Sequence, residues 1–301
     1  MKRVLITGAS GMVGYETCRE AIDRGFVVTG LGRKDRHRLP GMKFACIDLT
    51  DTAAVSEVMH EVHPDLVVHL AANTNHAACE GDPASTWNLH VCATEHLANV
   101  SNKIGSRFIH VSTEAVYGNQ GPGQRLETDP CHPTGVYATT KREAEVRVAR
   151  AHPLATILRV TPVGFVPDVY GHTLAEWLLR EFVNGKAVTG YEDVLFTPIS
   201  STSLAKLFFD PRLIAVCGTH NWGISETLSK YRFACDLAMA LGFRNADIQA
   251  GKRFPNGEIH HAAMNSSVLA ATLGAPTASA SLLFEDLART APITFLKELQ
   301  P

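Results

Sequence analysis

The stretch TGASGMVG at Thr7–Gly14 decides the fold because of what lies on either side of it. The β-branched run RVLITG at Arg3–Gly8 predicts a strand, and the residues after the turn predict a helix that ends near Gly25. Glycines let a bare backbone and the N–H groups of a helix start approach a pyrophosphate, although a GxxGxxG spacing also suits a simple tight turn. At this position it predicts a dinucleotide-binding turn, whose cofactor-binding residues would be Gly8, Ser10, Gly11, Met12, Val13 and Gly14.

The alternation of apolar runs and helical stretches continues to about residue 160. Runs without polar alternation, separated by helices, predict a parallel sheet that is covered on both faces. We therefore expect an α/β fold with a doubly wound parallel sheet of the Rossmann type and a smaller C-terminal substrate lobe. The runs that follow the first strand are FVVTGL (26–31), KFACID (43–48), DLVVHLAA (65–72), RFIHVST (107–113) and ATILRV (155–160).

The alternation of apolar runs and helical stretches ends after Val160. The stretch 161–172 is loop-like, TLAEWLLREFVNG at 173–185 predicts an amphipathic helix, and ITFLKEL at 293–299 fits a strand or a short helix. We predict a dinucleotide-binding domain over residues 1–160 and a substrate-binding lobe over residues 161–301, partly interleaved with the first.

The composition argues against several classes of function. The chain has 301 residues and a net charge of -2, and no basic stripe predicts a nucleic-acid partner. No apolar run reaches the ~20 residues of a membrane span, and we do not expect the first residues to act as a signal peptide, because their apolar run is too short. Seven cysteines without a CxxC pair indicate reduced, mostly buried thiols in the cytoplasm. No metal is expected, because clusters such as His60 with His63 have no matching second cluster.

The end of the second strand, GLGRKD at 30–35, bears on the choice of cofactor. Arg33 and Lys34 favour the 2′-phosphate of NADP, whereas Asp35 could accept from the ribose hydroxyls of NAD. NADP is therefore the expected cofactor, and NAD remains the alternative. The carboxyl ends of the later strands would hold the rest of the molecule, through Asp48, Leu49, Leu70, Ala71, Ala72, Asn73 and Val111.

A second pattern is YATTK at Tyr137–Lys141, which places a phenol and an ammonium one helical turn apart. Alone, such a pair would be a solvated helix face. Here the glycine turn lies upstream, and Ser112 and Thr113 end the fifth strand, where ligands of open α/β sheets gather. A nearby ammonium would lower the pKa of a tyrosine from about 10 toward the neutral range. We therefore expect Tyr137 and Lys141 to work as an acid–base pair.

Taken together, these motifs resemble the extended short-chain dehydrogenase/reductase family. The motifs, in family order over residues 1–162, are TGASGMVG, LAAN, WNLHVCATEHLA, VSTEAVYG, YATTK and ILRVTP. Within the family the chain is most similar to the dTDP-4-dehydrorhamnose reductases, through Ala71–Thr74 and Ser112–Tyr117. It departs from them where Glu114, Pro162 and Ala77 stand for an aspartate, a tryptophan and an aspartate. These changes affect the sugar pocket and leave the exact substrate open.

The resemblance implies an NADP-dependent reductase of a keto group, most simply that of a 4-keto nucleotide-sugar. It implies that Tyr137 donates the proton, that Lys141 tunes Tyr137 and holds the nicotinamide ribose, and that Thr113 orients the substrate oxygen. Asn88 would steady a helix or a water chain, or be a helix-surface amide. The residues expected to contact the substrate are Thr74, Thr113, Glu114 and Arg253.

Three alternatives stay open at this point. The same family contains nucleotide-sugar epimerases and dehydratases that recycle bound NAD, and the fold also serves non-catalytic NADP-binding regulatory subunits. The helices predicted at Pro83–Ile104 and Val136–Arg150 match those that pair in family dimers, so a homodimer is an option. The apolar side of these helices could equally be core. Trp177 is expected to pack in a core rather than to stack on a nucleotide.

Overall fold

The computed structural model of the chain describes residues 2–36, 39–119, 121–166 and 173–292. Its strands are β1 Arg3–Thr7, β2 Val27–Gly32, β3 Lys43–Cys46, β4 Leu66–His69, β5 Arg107–Thr113, β6 Thr156–Val160, β7 Pro162–Val163, β8 Val188–Tyr191, β9 Val194–Phe196, β10 Ile199–Ser200, β11 Gly218–Asn221, β12 Leu228–Ser229, β13 Ile248–Gly251 and β14 His260–Ala262. Its α-helices are α1 Met12–Asp23, α2 Thr52–Val62, α3 His76–Gly81, α4 Pro83–Trp87, α5 Ala93–Lys103, α6 Gly135–Ala151, α7 Leu174–Val183, α8 Ser201–Phe208, α9 Pro211–Ile214, α10 Lys230–Ala240, α11 Ser267–Leu273 and α12 Ala280–Thr290.

The central sheet has the strand order β11-β6-β5-β4-β1-β2-β3, and β1 to β6 pair in parallel. Ile6 of β1 pairs with Gly30 of β2 on one side and with Val68 of β4 on the other. The chain order therefore reverses between β1 and β4, which creates the crevice where doubly wound sheets bind ligands. The predicted Rossmann architecture is confirmed.

The apolar runs become buried strands because helices cover them. Val4, Leu5 and Ile6 are fully buried, although their side chains alternate between the two faces of the sheet. Complete burial of one such side chain contributes about 1.5–3 kcal/mol. One buried cluster joins five neighbouring strands to their covering helices, through Leu5, Leu31, Val67, Phe108, Ile157, Val55, Met59, Leu97 and Val148.

The long helix predicted from Pro83 is formed, but it is not α-helical throughout. Asp82 caps it and accepts a hydrogen bond from Ser85 N–H, and its last helical residue is Lys103. Between α4 and α5 the five residues from Asn88 to Cys92 form a π turn, in which Ala93 N–H donates to the Asn88 carbonyl. The wider turn contains one residue more than an α-helical turn would.

The contacts within the chain divide it into two compact units. Val216 shows why residues beyond the predicted boundary at residue 160 belong to the first unit. Its carbonyl accepts hydrogen bonds from Arg107 and Thr156, at the edge of the central sheet where β11 lies. The first unit comprises Met1–Gly118, Asp129–Val160 and Ala205–His220, and the second comprises Asn119–Thr128, Thr161–Leu204 and Asn221–Pro301.

The second unit has its own apolar core and only small sheets. The helix predicted at 173–185 is formed by Leu174–Val183, and Thr173 and Glu176 start it with a reciprocal capping box. Trp177 packs against the core, as expected. Strand β8 pairs with β13, and β9 pairs with β12 and β14. The large buried residues of this core include Leu178, Phe182, Phe196, Phe233, Leu237 and Phe284.

Some local predictions need correction or fall outside the described residues. In the loop-like stretch 161–172, Pro162–Val163 form a short strand with β10, whereas residues 167–172 are not described, nor is the segment 293–299. All seven cysteines are free, but only Cys18 and Cys79 are buried. The expectation of mostly buried thiols was wrong, because Cys46, Cys92 and Cys217 lie on an edge strand, in the π turn and in a loop. No helix among the described residues has the length and apolar character of a membrane span.

Candidate active site at the C-terminal ends of the parallel strands

The glycine turn links β1 to α1, and its glycines have different roles. Gly8 has φ +66°, and a Cβ there would lie 2.9 Å from Ala71 N at the end of β4. A Cβ on Gly14 would collide with the Gly8 carbonyl. These two glycines are therefore required by packing, whereas Gly11 is exposed and opens toward solvent. Helix α1 starts at Gly11 without a side-chain cap and without an acid in its first turn.

That helix start fits the pyrophosphate of a dinucleotide. The first N–H groups of a helix have no intrahelical partner, and the helix dipole adds positive potential there. The described residues supply neither a capping oxygen at Gly11 nor a nearby carboxylate in the first turn, either of which would compete with a phosphate. Ser10 and Met12 flank the opening, and Val13 follows in the first turn.

Cationic side chains follow β2. Arg33 and Lys34 are exposed directly after Gly32, and Ser10 Oγ donates to the Lys34 carbonyl at 2.9 Å. That bond ties the glycine turn to the end of β2. Asp48, after β3, accepts from both the N–H and the hydroxyl of Thr50. These hydrogen bonds lower the pKa of Asp48, and the Arg33 guanidinium lowers it further.

The end of β4 is held by a buried hydroxyl and a buried imidazole. Thr7 Oγ1 accepts from the N–H groups of Leu70 and Ala71 at 3.1 and 3.2 Å. It donates to His69 Nδ1 at 2.7 Å, and His69 Nε2 lies 2.8 Å from Thr94 Oγ1. The segment at 70–73 is thus fixed beside the glycine turn. Asp48, Ala72 and Asn73 line the same edge of the sheet, Leu49 is buried beneath it, and Thr74 is exposed beyond it.

Tyr137 lies half-buried in the first turns of α6, next to the end of β5. Its phenol lies next to Thr113, whose hydroxyl donates to Glu114 Oε2 at 2.8 Å. Burial raises the pKa of Tyr137 well above its ordinary value, the Glu114 carboxylate raises it further, and the neighbouring Thr113 hydroxyl lowers it. The structure therefore brings together Tyr137, Thr113 and Glu114, as the sequence suggested.

Lys141 is buried one turn further along α6. Its Nζ donates to the Val111 carbonyl at 2.7 Å and lies 3.3 Å from His110 Nε2. Burial lowers the pKa of Lys141 to about 8, and the charge of Glu145 opposes that shift. The expectation that Lys141 lowers the pKa of Tyr137 was wrong for this structure. The ammonium is directed to β5, and the burial of the phenol outweighs any stabilisation of a tyrosinate.

A buried ion pair fixes α6 to the sheet behind these residues. Glu145 accepts from Arg159 Nη2 at 2.7 Å, from Arg159 Nε at 2.9 Å and from Ser112 Oγ at 2.6 Å. Arg159 also donates to the Tyr117 hydroxyl at 2.8 Å. Removing Glu145 would therefore leave the buried Arg159 charge without its carboxylate partner, whereas Glu145 also pairs with Arg142 Nη1 at 2.8 Å.

Two histidines that were not predicted as site residues flank Tyr137. The ring of His76, the first residue of α3, lies 4.5 Å from the Tyr137 ring with an interplanar angle of 30°. The ring of His90, in the π turn, lies 5.9 Å away and edge-on at 84°. No local motif marks them, and only their distance in space from Tyr137 identifies them. Asn88 is exposed, which supports its interpretation as a helix-surface amide.

Arg253 belongs to the second unit. Its side chain is exposed, and its backbone N–H donates to Asp193 Oδ1 at 2.9 Å, while Phe254 N–H donates to Asp193 Oδ2 at 2.9 Å. Asp193 thereby fixes the loop that presents the guanidinium. In the part of the chain that the structure describes, no three His, Cys, Asp or Glu side chains form a group that could hold a metal ion.

The chain is similar to known proteins over most of its length. The family model for the RmlD substrate binding domain matches residues 1–279. Methionine adenosyltransferase 2 subunit beta of Xenopus laevis is 28% identical over 260 residues, which cover 82% of this chain and 75% of that protein. A dTDP-4-dehydrorhamnose reductase of Aggregatibacter actinomycetemcomitans is 27% identical over 225 residues, covering 74% of this chain and 72% of that protein.

Solved structures share the fold over nearly the whole chain. The dTDP-4-dehydrorhamnose reductase of Bacillus anthracis in complex with NADP superposes with a TM-score of 0.81 at 20% identity, covering 96% of this chain and 99% of that chain. The UDP-glucose 4-epimerase of Thermotoga maritima with UDP-glucose gives a TM-score of 0.83 at 20% identity, covering 99% and 100%. The resemblance to the extended short-chain dehydrogenases/reductases is confirmed, as is the expected class of NAD(P)-dependent oxidoreductase. The chain belongs to the RmlD substrate-binding domain family.

Proposed function

We propose that this protein uses NADPH to reduce the 4-keto group of a nucleotide-sugar, with Tyr137 as the proton donor. The observation that carries the proposal is the cluster at the end of β5. There the Tyr137 phenol lies beside Thr113, and the Lys141 ammonium donates to the carbonyl of Val111, two residues before Thr113 in β5. The cluster lies in the unit that contains the glycine turn. The sugar class comes from the family and from relatives such as the reductase of Aggregatibacter actinomycetemcomitans.

Each residue of the cluster has a role in this reaction. When bound, NADPH supplies the hydride that adds to the carbonyl carbon. Burial keeps Tyr137 in its neutral form, which is the form that can give its proton to the carbonyl oxygen. The Thr113 hydroxyl orients that oxygen, and Lys141, mostly an ammonium at neutral pH, holds the nicotinamide ribose.

The cofactor preference rests on charge. The exposed cations Arg33 and Lys34 at the end of β2 suit a 2′-phosphate, which NAD lacks. In this proposal the first unit holds the cofactor, and the residues proposed to contact the nucleotide-sugar are Thr74, Glu114 and Arg253. A cytoplasmic reaction and a homodimer formed through α5 and α6 are further parts of the proposal.

The direct test is a screen of NADPH oxidation against several 4-keto nucleotide-sugars and simple ketones. The wild-type protein should consume NADPH with at least one 4-keto nucleotide-sugar. Tyr137→Phe should lower turnover by about 10²–10⁴-fold while it keeps NADPH affinity, because only the proton donor is lost. Tyr191→Phe, in the second unit, serves as the control and should stay close to wild type. Turnover of Tyr137→Phe near the wild-type rate would remove Tyr137 from the mechanism.

A second candidate is a non-catalytic subunit that binds NADP, and the similarity to methionine adenosyltransferase 2 subunit beta favours it. In that case the purified protein would bind NADPH, reduce no ketone and form a complex with a methionine adenosyltransferase in size-exclusion chromatography. A protein that is purified with bound NAD and shows no net consumption of NADPH would instead indicate an epimerase.

A further inference from the structure

His90 is a buried histidine that lies between two segments of the proposed active site. It occupies the π turn, and only 1% of its surface is exposed. Its Nε2 accepts a hydrogen bond from Asn73 N–H at 2.9 Å, at the end of the cofactor segment. Its Nδ1 lies 2.9 Å from Thr140 Oγ1, on the helix that carries Tyr137.

These partners allow only one form of the imidazole ring. A backbone N–H can only donate, so His90 Nε2 must be the unprotonated nitrogen. The Thr140 hydroxyl donates to the carbonyls of Val136 and Tyr137, at 2.8 and 3.0 Å, so it accepts from His90 Nδ1–H. Burial, together with the charge of Lys141, lowers the pKa of His90 to about 4. The ring is therefore neutral and carries its proton on Nδ1.

The π turn supports this placement. The extra residue lets His90 and Val91 both be buried, while Thr94 and Leu97 of α5 still face the core. π turns inside α-helices are frequent at functional sites. From this turn the edge of the His90 ring meets the Tyr137 ring at a centroid distance of 5.9 Å.

We propose that His90 is a positioning residue, which joins the cofactor segment at Leu70–Asn73 to the first turns of α6 and fixes the phenol ring of Tyr137. The inference rests on the proposed function. One imidazole bonds to backbone on the cofactor side and to a hydroxyl on the catalytic helix, so a shift of either segment breaks one of its bonds. Binding of the cofactor and placement of the phenol are thereby coupled.

The test separates the two hydrogen bonds by substitution. His90→Phe keeps a ring of similar size but loses both bonds. His90→Gln places an acceptor where Nε2 lies and can still bond to Asn73 N–H, whereas His90→Asn can still donate to Thr140. His152→Gln is the control, because His152 is equally buried and bonds to the Ser106 carbonyl at 2.9 Å, outside the site.

The expected results differ among these variants. His90→Phe should weaken NADPH binding about tenfold in calorimetry, and His90→Gln should restore it to within about threefold of wild type. His90→Phe should also shift the 13C resonance of the Tyr137 phenol carbon, and His90→Asn should reverse most of that shift. Nitrogen NMR of the wild-type protein should show His90 protonated on Nδ1. His152→Gln should lower the melting temperature but should neither weaken NADPH binding nor shift the Tyr137 resonance.

Two outcomes would overturn the inference. One is an Nε2-protonated His90, and the other is wild-type NADPH affinity together with an unchanged Tyr137 resonance in His90→Phe. If His90→Phe does not fold, the comparison of His90→Gln with His90→Asn tests the inference. A positioning role requires His90→Gln to retain NADPH binding and His90→Asn to retain the Tyr137 resonance. A wild-type protein that neither binds NADPH nor reduces a ketone would end the proposed function. The tautomer and the Tyr137 resonance would still report on His90.

Discussion

At the scale of single residues, the proposed acid and its neighbouring cation are shifted toward their neutral forms. Burial raises the pKa of Tyr137 and lowers that of Lys141 to about 8. Low polarity disfavours charge on either group, so both shifts have the same cause. A protonated phenol suits the reductive direction, in which Tyr137 gives a proton away.

Arg33 provides a residue-scale test of cofactor preference. Its exposed guanidinium lies after β2, close enough to Asp48 to affect the pKa of that carboxyl. If it pairs with the 2′-phosphate, Arg33→Ala should weaken NADPH binding by about 10–100-fold and NADH binding by less than about threefold. Titration of each cofactor by calorimetry measures both constants. Arg150→Ala, an exposed cation at the end of α6, is the control, and an equal loss for NADH and NADPH would indicate Asp35 as the selector instead.

At the scale of elements, the start of α6 depends on another helix. Thr134 occupies the N-cap position but makes no side-chain cap bond. Instead, Glu80 Oε1, from α3, accepts a hydrogen bond from Val136 N–H at 2.6 Å. Gly135 is suited to this contact, since it has φ +79° and a Cβ there would lie 2.7 Å from the same oxygen. A carboxylate at a helix N-terminus is also favoured by the helix dipole.

Removal of the Glu80 carboxylate should affect both stability and turnover. Glu80→Ala should lower the free energy of unfolding by about 1 kcal/mol and reduce kcat, because the first turn of α6 carries Tyr137. Urea denaturation and steady-state kinetics measure the two effects. Asp51→Ala is the matched control, because Asp51 caps α2 through Ala54 N–H at 3.1 Å and lies outside the site. Equal losses of kcat in both variants would contradict a specific role for Glu80.

At the scale of the whole molecule, three buried histidines make the fold sensitive to acid. Burial lowers the pKa of His69 to about 3, that of His90 to about 4, and that of His110 well below its ordinary value. Their pKa values in the unfolded chain are about 6.5. At pH values between the folded-state and the unfolded-state pKa of each histidine, the unfolded chain binds more protons than the folded protein. The free energy of unfolding therefore falls as the pH decreases.

The predicted loss is large enough to measure. Between pH 7 and pH 5, His69 and His90 should each lower the free energy of unfolding by about 2 kcal/mol, and His110 should act in the same direction. Urea denaturation across this range should therefore show a steep decline, and His110→Phe should make that decline shallower. His60→Gln, at an exposed histidine of α2, should leave the slope unchanged. A flat stability profile from pH 7 to pH 5 would show that these histidines have the same pKa in the folded protein as in the unfolded chain.

Local patterns were sufficient for the fold and for most of the proposed site. The strand, glycine turn and helix at 3–23 are adjacent in sequence, and the alternating runs to residue 160 are short-range signals. The carboxyl ends of parallel strands lie at the same edge of a sheet. The order of the motifs alone therefore predicted that Thr113, Asn73 and the glycine turn lie at one edge.

Only the tertiary structure decided which residues surround Tyr137 and in which direction its pKa is shifted. His76, His90 and Glu80 come from an earlier part of the chain, and no periodic pattern indicates that they meet α6. Asn88 was singled out by the family resemblance alone, and a π turn shifts the helical phase by one residue, so α-helical spacing does not indicate the placement of His90. The direction of the Lys141 ammonium also depends on burial and on long-range hydrogen bonds, which a sequence does not specify locally.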